Sequence, residues 1–285
     1  MCAKSAAACK SMADRPTGEA PGFAALVHAV TGYATQVWAV TATEFRKLRH
    51  DPWELLTRAV QPILWLTLFG QVMAHVRGIA SGGVGYLDFL APGILAQSVL
   101  FVAIFYGISV IWERDLGVLH RYLVSPAPRS ALVIGKAVSS GVRGLSQAIV
   151  IYLCAAAMHV ELSPRPLDAL LAAVFVCLAA ALFATLSLIV ASIVKTRERF
   201  MGIGQVLTMP IFFASNAIYP IDLMPHWLQV VAFANPLSYA VDGLRSVMLR
   251  EAASVFGLTH DLVVLGAATA LVVAIASRMY PRLTA

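Results

Sequence analysis

The residues of this sequence whose types and spacing could do chemistry concentrate between Glu113 and Lys136, "ERDLGVLHRYLVSPAPRSALVIGK". There Glu113, Arg114, Asp115, Arg121, Arg129 and Lys136 interrupt a chain that is 59% hydrophobic. The motifs of catalysis are absent. "GKA" at Gly135 to Ala137 lacks both the leading glycine and the trailing Ser or Thr of a phosphate-binding loop, and neither H-E-x-x-H nor G-x-S-x-G occurs. The sequence therefore reads as having no ATPase site, no catalytic residues and no bound cofactor or metal. Cys2, Cys9, Cys154 and Cys177 have no paired spacing and read as packing residues.

Neutral polar residues inside apolar runs form the second set. Gln61 and Gln71 lie on the first run, Gln97, Ser98 and Ser109 on the second. On the third, Ser139, Ser140, Arg143, Gly144, Ser146 and Gln147 share roughly a third of the circumference at about 100° per residue. Such a stripe lines a pathway or mediates a helix contact, and contact is the favoured reading. Arg143 reads as snorkelling to the cytoplasm. The candidates for a translocation path are Gln61, Gln71, Gln97, Ser98, Ser109, Ser140, Gln147, Asn216 and Tyr219. Acidic residues avoid the middle of the runs, with Asp168 and Asp261 at their entrances, which weighs against an ion-coupled carrier.

These residues need a scaffold, and composition names it. With only 13% charged residues and apolar segments near 57–77, 89–111, 137–158, 168–194, 201–215 and 258–277, the chain reads as an all-α membrane protein of six transmembrane helices. Residues 1–30 read as a disordered cytoplasmic tail and 31–285 as one transmembrane domain. Within it, 33–50 is an amphipathic interface helix with Val37, Trp38, Phe45 and Leu48 apolar and Glu44, Arg46, Lys47 and Arg49 polar. "DPWE" then starts the first span after a corner, with Pro52 at the first helical position. Region 216–245, broken by Pro220, Pro225 and Pro236, reads as two short re-entrant helices, with Tyr219, Trp227 and Tyr239 at headgroup level.

Lysine and arginine set the orientation. They crowd the N-terminal segment, the 113–136 stretch, "KTRER" at 195–199 and the C-terminal end, leaving Arg77, Arg165, Arg245 and Arg250 on the other side. This bias places both termini in the cytoplasm, and the net charge of +6 reports topology rather than nucleic-acid binding. The charged stretch itself cannot be a span, since each central charge costs about 2.5–3.5 kcal/mol on an insertion scale. It reads as a cytoplasmic helix with Leu116, Leu119 and Leu123 on one face, ended by "SPAP".

That stretch resembles the signature of type-2 ABC exporter permeases, the group of daunorubicin-resistance and nodulation-factor export permeases, in which a segment like E-R-E-x-G-T-L-E-x-L-L-V-S-P follows the second span. "YLDFLAPGI" at Tyr86 to Ile94 and "NPLSYAVDGLR" at Asn235 to Arg245 are also similar to that family. The resemblance implies that region 113–132 is the coupling helix, which seats in a groove of an ATPase subunit. Glu113, Arg114, Asp115 and Gly117 match its polar beginning, and Leu119, Leu123, Val124, Ser125 and Pro126 its end. Val118 and His120 replace the usual threonine and glutamate. It further implies two copies of an ABC ATPase that carries ATP and Mg, a second permease chain as homo- or heterodimer, a plasma-membrane location, and export of a drug, lipid or glycolipid. A secondary transporter or a non-catalytic membrane scaffold is the alternative.

Overall fold

The computed structural model describes residues 23–50, 52–74, 85–117, 129–194, 196–250 and 254–279. Nearly all of them are helical, and the only β pairing among them is an isolated antiparallel bridge between Leu162 and Leu249. Helix α1 runs Phe23–His50, so it begins ahead of the expected start at 33 and takes in part of the expected tail. A helical run follows as α2 (Pro52–Leu64), a π turn (Trp65–Phe69) and α3 (Gly70–Ala74). Pro62, which has no N–H to give to the preceding turn, lies just before the π turn. Then come α4 (Tyr86–Asp115), α5 (Arg129–Ala157), α6 (Pro166–Ile193) and α7 (Arg197–Phe213). The chain ends in α8 (His226–Ala234), α9 (Pro236–Met248) and α10 (Leu258–Met279).

Four of these helices, α4, α5, α6 and α10, are long and apolar enough to cross a membrane. The first expected span is divided by the π turn, and the fifth falls in α7, which has 17 residues. The expected coupling region also differs at its start. Glu113, Arg114 and Asp115 are not the first turn of a cytoplasmic helix but the last turn of α4, which ends where Gly117 takes φ +71°, a left-handed conformation that suits glycine after a helix. Leu119, His120, Leu123 and Pro126 lie outside the described residues.

Helix α4 is the axis of the bundle. Its buried residues from Leu90 to Ile104 pack against Phe175, Val176 and Phe183 of α6 and Leu237, Val241 and Leu244 of α9 in one continuous core. Gly93 brings α4 onto the backbone of the segment after α7: a Cβ there would stand 2.2 Å from the carbonyl oxygen of Ala217. A prediction follows. Gly93→Ala needs a backbone shift and should lower thermal stability in detergent by about 1–3 kcal/mol, whereas Gly202→Ala, with nothing within 4 Å, should leave the melting point unchanged or raise it.

Candidate functional site

The charges of the signature stretch assemble with one that the sequence reading gave to water. On α1, Val37, Val40, Thr41 and Glu44 recur at helical spacing, and this stripe faces α5 at Gly135, where a Cβ would stand 2.7 Å from that of Val40. The absent side chain lets α1 approach until Glu44 is only 3% exposed. There its carboxylate meets Lys136 Nζ at 3.6 Å and Arg143 Nη2 at 3.3 Å. Lys136 also donates to Glu113 Oε2 at 2.7 Å, from the last full turn of α4. Tyr106 floors the cluster: its ring centroid is 4.6 Å from the Arg143 guanidinium carbon and 5.6 Å from Lys136 Nζ, and its hydroxyl is 3.4 Å from Ser139 Oγ.

Among the described residues, two cations and two carboxylates thus form a buried knot of three helices. Several readings change with it. Glu113 is buried and paired inside the protein rather than presented on its surface. Arg143 does not snorkel to water but reaches a carboxylate on α1. On α1, the apolar Trp38 and Phe45 are exposed while Glu44 is buried. Breaking a buried pair by deleting one partner costs about 3–5 kcal/mol, because the other charge is left desolvated.

Around the knot lies a more exposed rim. Asp115 accepts from Arg197 Nη2 at 2.8 Å and from Arg114 Nη2 at 3.4 Å. Arg197 stacks on Trp112, with its guanidinium carbon 3.6 Å from the ring centroid, and Arg114 reaches the carbonyl of Val194. The end of α4 is therefore tied to the connection between α6 and α7. Leu116, expected on a docking face, is 70% exposed.

The path candidates divide. Gln61 on α2 and Gln97 and Ser98 on α4 line one open cavity of about 460 Å³. Thr57, Arg58, Phe101, Phe105 and Gln205 of α7, none of which the sequence reading placed there, complete its polar and aromatic wall. Gln71, Ser109, Ser140, Gln147, Asn216 and Tyr219 are not among its lining residues. Ser140 and Gln147 of α5 are buried. Tyr219 donates to the carbonyl of Phe213, capping α7, and the backbone carbonyl of buried Asn216 accepts from Arg245 at 2.8 Å.

Arg245 anchors the end of the bundle opposite the knot. Its guanidinium also donates to the carbonyl of Phe89 and stacks on that ring at 3.7 Å. Asp242 lies one turn earlier on the same helix. Asp242 in turn accepts from the Val255 and Phe256 amides and the Ser254 hydroxyl, holding α9 to the entry of α10. Asn235 fixes the start of α9 by accepting from the Leu237 amide and donating to the carbonyls of Ile211 and Ala214. Among the described residues, no three His, Cys, Asp or Glu side chains converge to hold a metal ion.

Comparison with known proteins decides what such a bundle is. The sequence model of the ABC-2 type transporter family matches residues 35–249. The chain belongs to this family. It is 28% identical over 215 residues to a putative transport permease, ycf38, of Cyanophora paradoxa, covering 75% of this chain and 74% of that one. It is 25% identical over 235 residues to a daunorubicin resistance ABC transporter permease protein of Streptomyces coeruleorubidus, covering 81% and 78%. Nodulation protein J of Rhizobium leguminosarum bv. trifolii is 27% identical over 197 residues, covering 68% and 74%. The protein is thus a multi-pass transmembrane subunit of an ABC transporter. The ABC-2 match starts on α1 and ends after α9, so it contains the whole knot and the whole cavity wall.

The knot and the rim should separate by energy. Glu44→Ala strands Arg143 and should cost about 3–5 kcal/mol of stability in detergent, while Asp115→Ala, at a pair 39% exposed on the carboxylate side, should cost less than about 1 kcal/mol. Thermal unfolding of the two variants checks this.

Proposed function

We propose that this chain is the permease of an ATP-driven exporter that moves an amphiphilic drug, lipid or glycolipid out of the cytoplasm or the inner leaflet. The single observation that carries the mechanism is the placement of the knot. Its four charges sit on α1 and on both helices flanking segment 118–128, the middle of the 113–132 region that resembles the family's coupling helix. A separate ATPase, in two copies with ATP and Mg, docks there, and a second permease chain completes the path. Glu113 then acts as the internal anchor of the lever, and the rim of Arg114, Asp115 and Arg197 faces the ATPase. Displacement of the segment loads α4 through the pair of Glu113 and Lys136, and it moves α1 and α5 with it because Glu44 holds both cations.

Six crossings fit this reading. The run from Pro52 to Ala74 and helix α7 would serve as first and fifth spans, and α8 and α9 as re-entrant helices. The amphipathic helix and segment 118–128 would lie on the cytoplasmic face of the plasma membrane. Several relatives support an amphiphilic cargo by their names, among them a daunorubicin resistance permease and a probable multidrug permease of Escherichia coli.

The test is transport by the permease and its ATPase in inside-out proteoliposomes. Accumulation of a fluorescent amphiphile should require ATP hydrolysis and be unaffected by proton or sodium gradients. Uptake under an ion gradient without the ATPase would assign the chain to the secondary carriers instead.

A further inference from the structure

We propose that the π turn at Trp65–Phe69 is a hinge, about which α2 bends to widen and narrow the cavity it shares with α4 and α7. This rests on the exporter reading and names the part that the knot moves. Neighbouring features weaken the helical ladder at this joint. Pro62 has no N–H to give to the carbonyl of Arg58. The Gly70 N–H reaches back five residues to the Trp65 carbonyl, so the turn is wider than an α turn. The Thr67 hydroxyl donates to the Ile63 carbonyl at 2.8 Å, a back-bond of the kind that bends helices. Between Gln97 and Glu113, by contrast, α4 holds neither a proline nor a wide turn.

The two halves of the run are held by different parts of the protein. From the joint onward, Leu66 is fully buried in the main core, and Trp65, Phe69 and Met73 pack against it. The Trp65 ring meets Phe69 at 5.1 Å and Phe212 of α7, edge on, at 6.4 Å. A Cβ on Gly70 would stand 2.7 Å from Leu87 Cδ2, so α3 lies close against the start of α4. Before the joint, α2 lies against α4 and α5, but none of its described side chains belongs to a hydrophobic cluster. Thr57, Arg58, Gln61 and Pro62 instead line the open cavity together with Phe101 and Phe105 of α4. A single residue separates α2 from α1, and Glu44 ties α1 to Lys136 and Arg143 of α5.

Motion of α1 with the knot enters the run at the start of α2, while α3 keeps its place on α4. The run takes up the difference where its hydrogen bonds are fewest, since helices bend at prolines and wide turns. With 13 residues, α2 is about 20 Å long at ~1.5 Å of rise per residue. A bend of about 10° at the joint then moves its knot end by about 3 Å. That displacement carries Thr57 and Gln61 toward or away from the phenylalanines of α4 and changes the width of a cavity of about 460 Å³. The face on α2 is thus the moving wall.

The test is double electron–electron resonance on the permease with its ATPase in nanodiscs, nucleotide-free and trapped with ATP and vanadate, beside transport of a fluorescent amphiphile in proteoliposomes. The four native cysteines are replaced by serine, and labelled chains are diluted with unlabelled ones. One spin pair joins the knot ends of two helices, Trp53→Cys on α2 and Ile193→Cys on α6. The other joins the opposite ends, Val72→Cys on α3 and Leu167→Cys on α6, and all of these positions are exposed. Trapping should shift the knot-end pair by about 3 Å and leave the opposite pair in place. Deletion of Thr67, which takes the extra residue out of the wide turn, should abolish that shift and cut ATP-driven transport about tenfold, with the ATPase still co-purifying. Pro62→Ala, which restores the missing donor, should cut it less. Equal shifts of both pairs, no shift in either, or full transport by both variants overturns the hinge. If the knot-end pair shifts as stated but no amphiphile is exported, the hinge stands and the exporter reading falls.

Discussion

The structure depends on the neutralisation of Lys136 and Arg143 by Glu44 and Glu113 in a place water does not reach. An ammonium or guanidinium buried alone is not tolerated at these helix positions, so the two carboxylates dictate where α1 and the end of α4 must lie relative to α5. Gly135 allows the approach and Tyr106 closes the cluster beneath. Pairing matters as much as distance: two cations two turns apart on one face of α5 meet carboxylates from two different helices. A helix held only by an apolar face could slide across its neighbours. One held by Glu44 moves with α5.

Helix α4 joins this constraint to the cavity. Gln97 and Glu113 lie on one continuous helix, about 24 Å apart at ~1.5 Å of rise per residue. Gly107, where a Cβ would stand 2.1 Å from Ser187 Oγ, and the Ser187 hydroxyl on the Ile104 carbonyl hold α4 against α6 midway between them. Such a helix transmits displacement better than it absorbs it, so a shift at the knot reaches the polar wall of the cavity. At its far end Arg245 binds α4 to α9 and to the segment after α7 through two backbone carbonyls and a phenylalanine ring.

Much of this was legible in the sequence. The helical class, the apolar segments that became α4, α5, α6 and α10, Pro52 opening the run after α1 and the family resemblance all follow from composition, periodicity and three motifs. Gln61, Gln97 and Ser98 were recognisable as polar residues in apolar runs, and they meet at one cavity. The knot was not legible, because an amphipathic pattern assigns every charge on a surface helix to water. That assignment is right for Arg46 and wrong for Glu44, which shares its face with Val37, Val40 and Thr41. The available signal was the surplus of cations on α5, since Lys136 and Arg143 lie seven residues apart on a helix that carries no acidic residue. The end of α4 was misplaced for a related reason: a run of charges argues for leaving the membrane but not for ending a helix, and Gly117 is what ends it.

The central claim is that the pair of Glu113 and Lys136 transmits load between the ATPase and the spans, and exchanging the two charges addresses it most directly. In the reconstituted complex, ATP-driven transport should be abolished by Glu113→Lys or Lys136→Glu alone and should recover substantially in the double exchange, with co-purification of the ATPase intact in all three. Transport undiminished by either single exchange in folded protein would contradict the account.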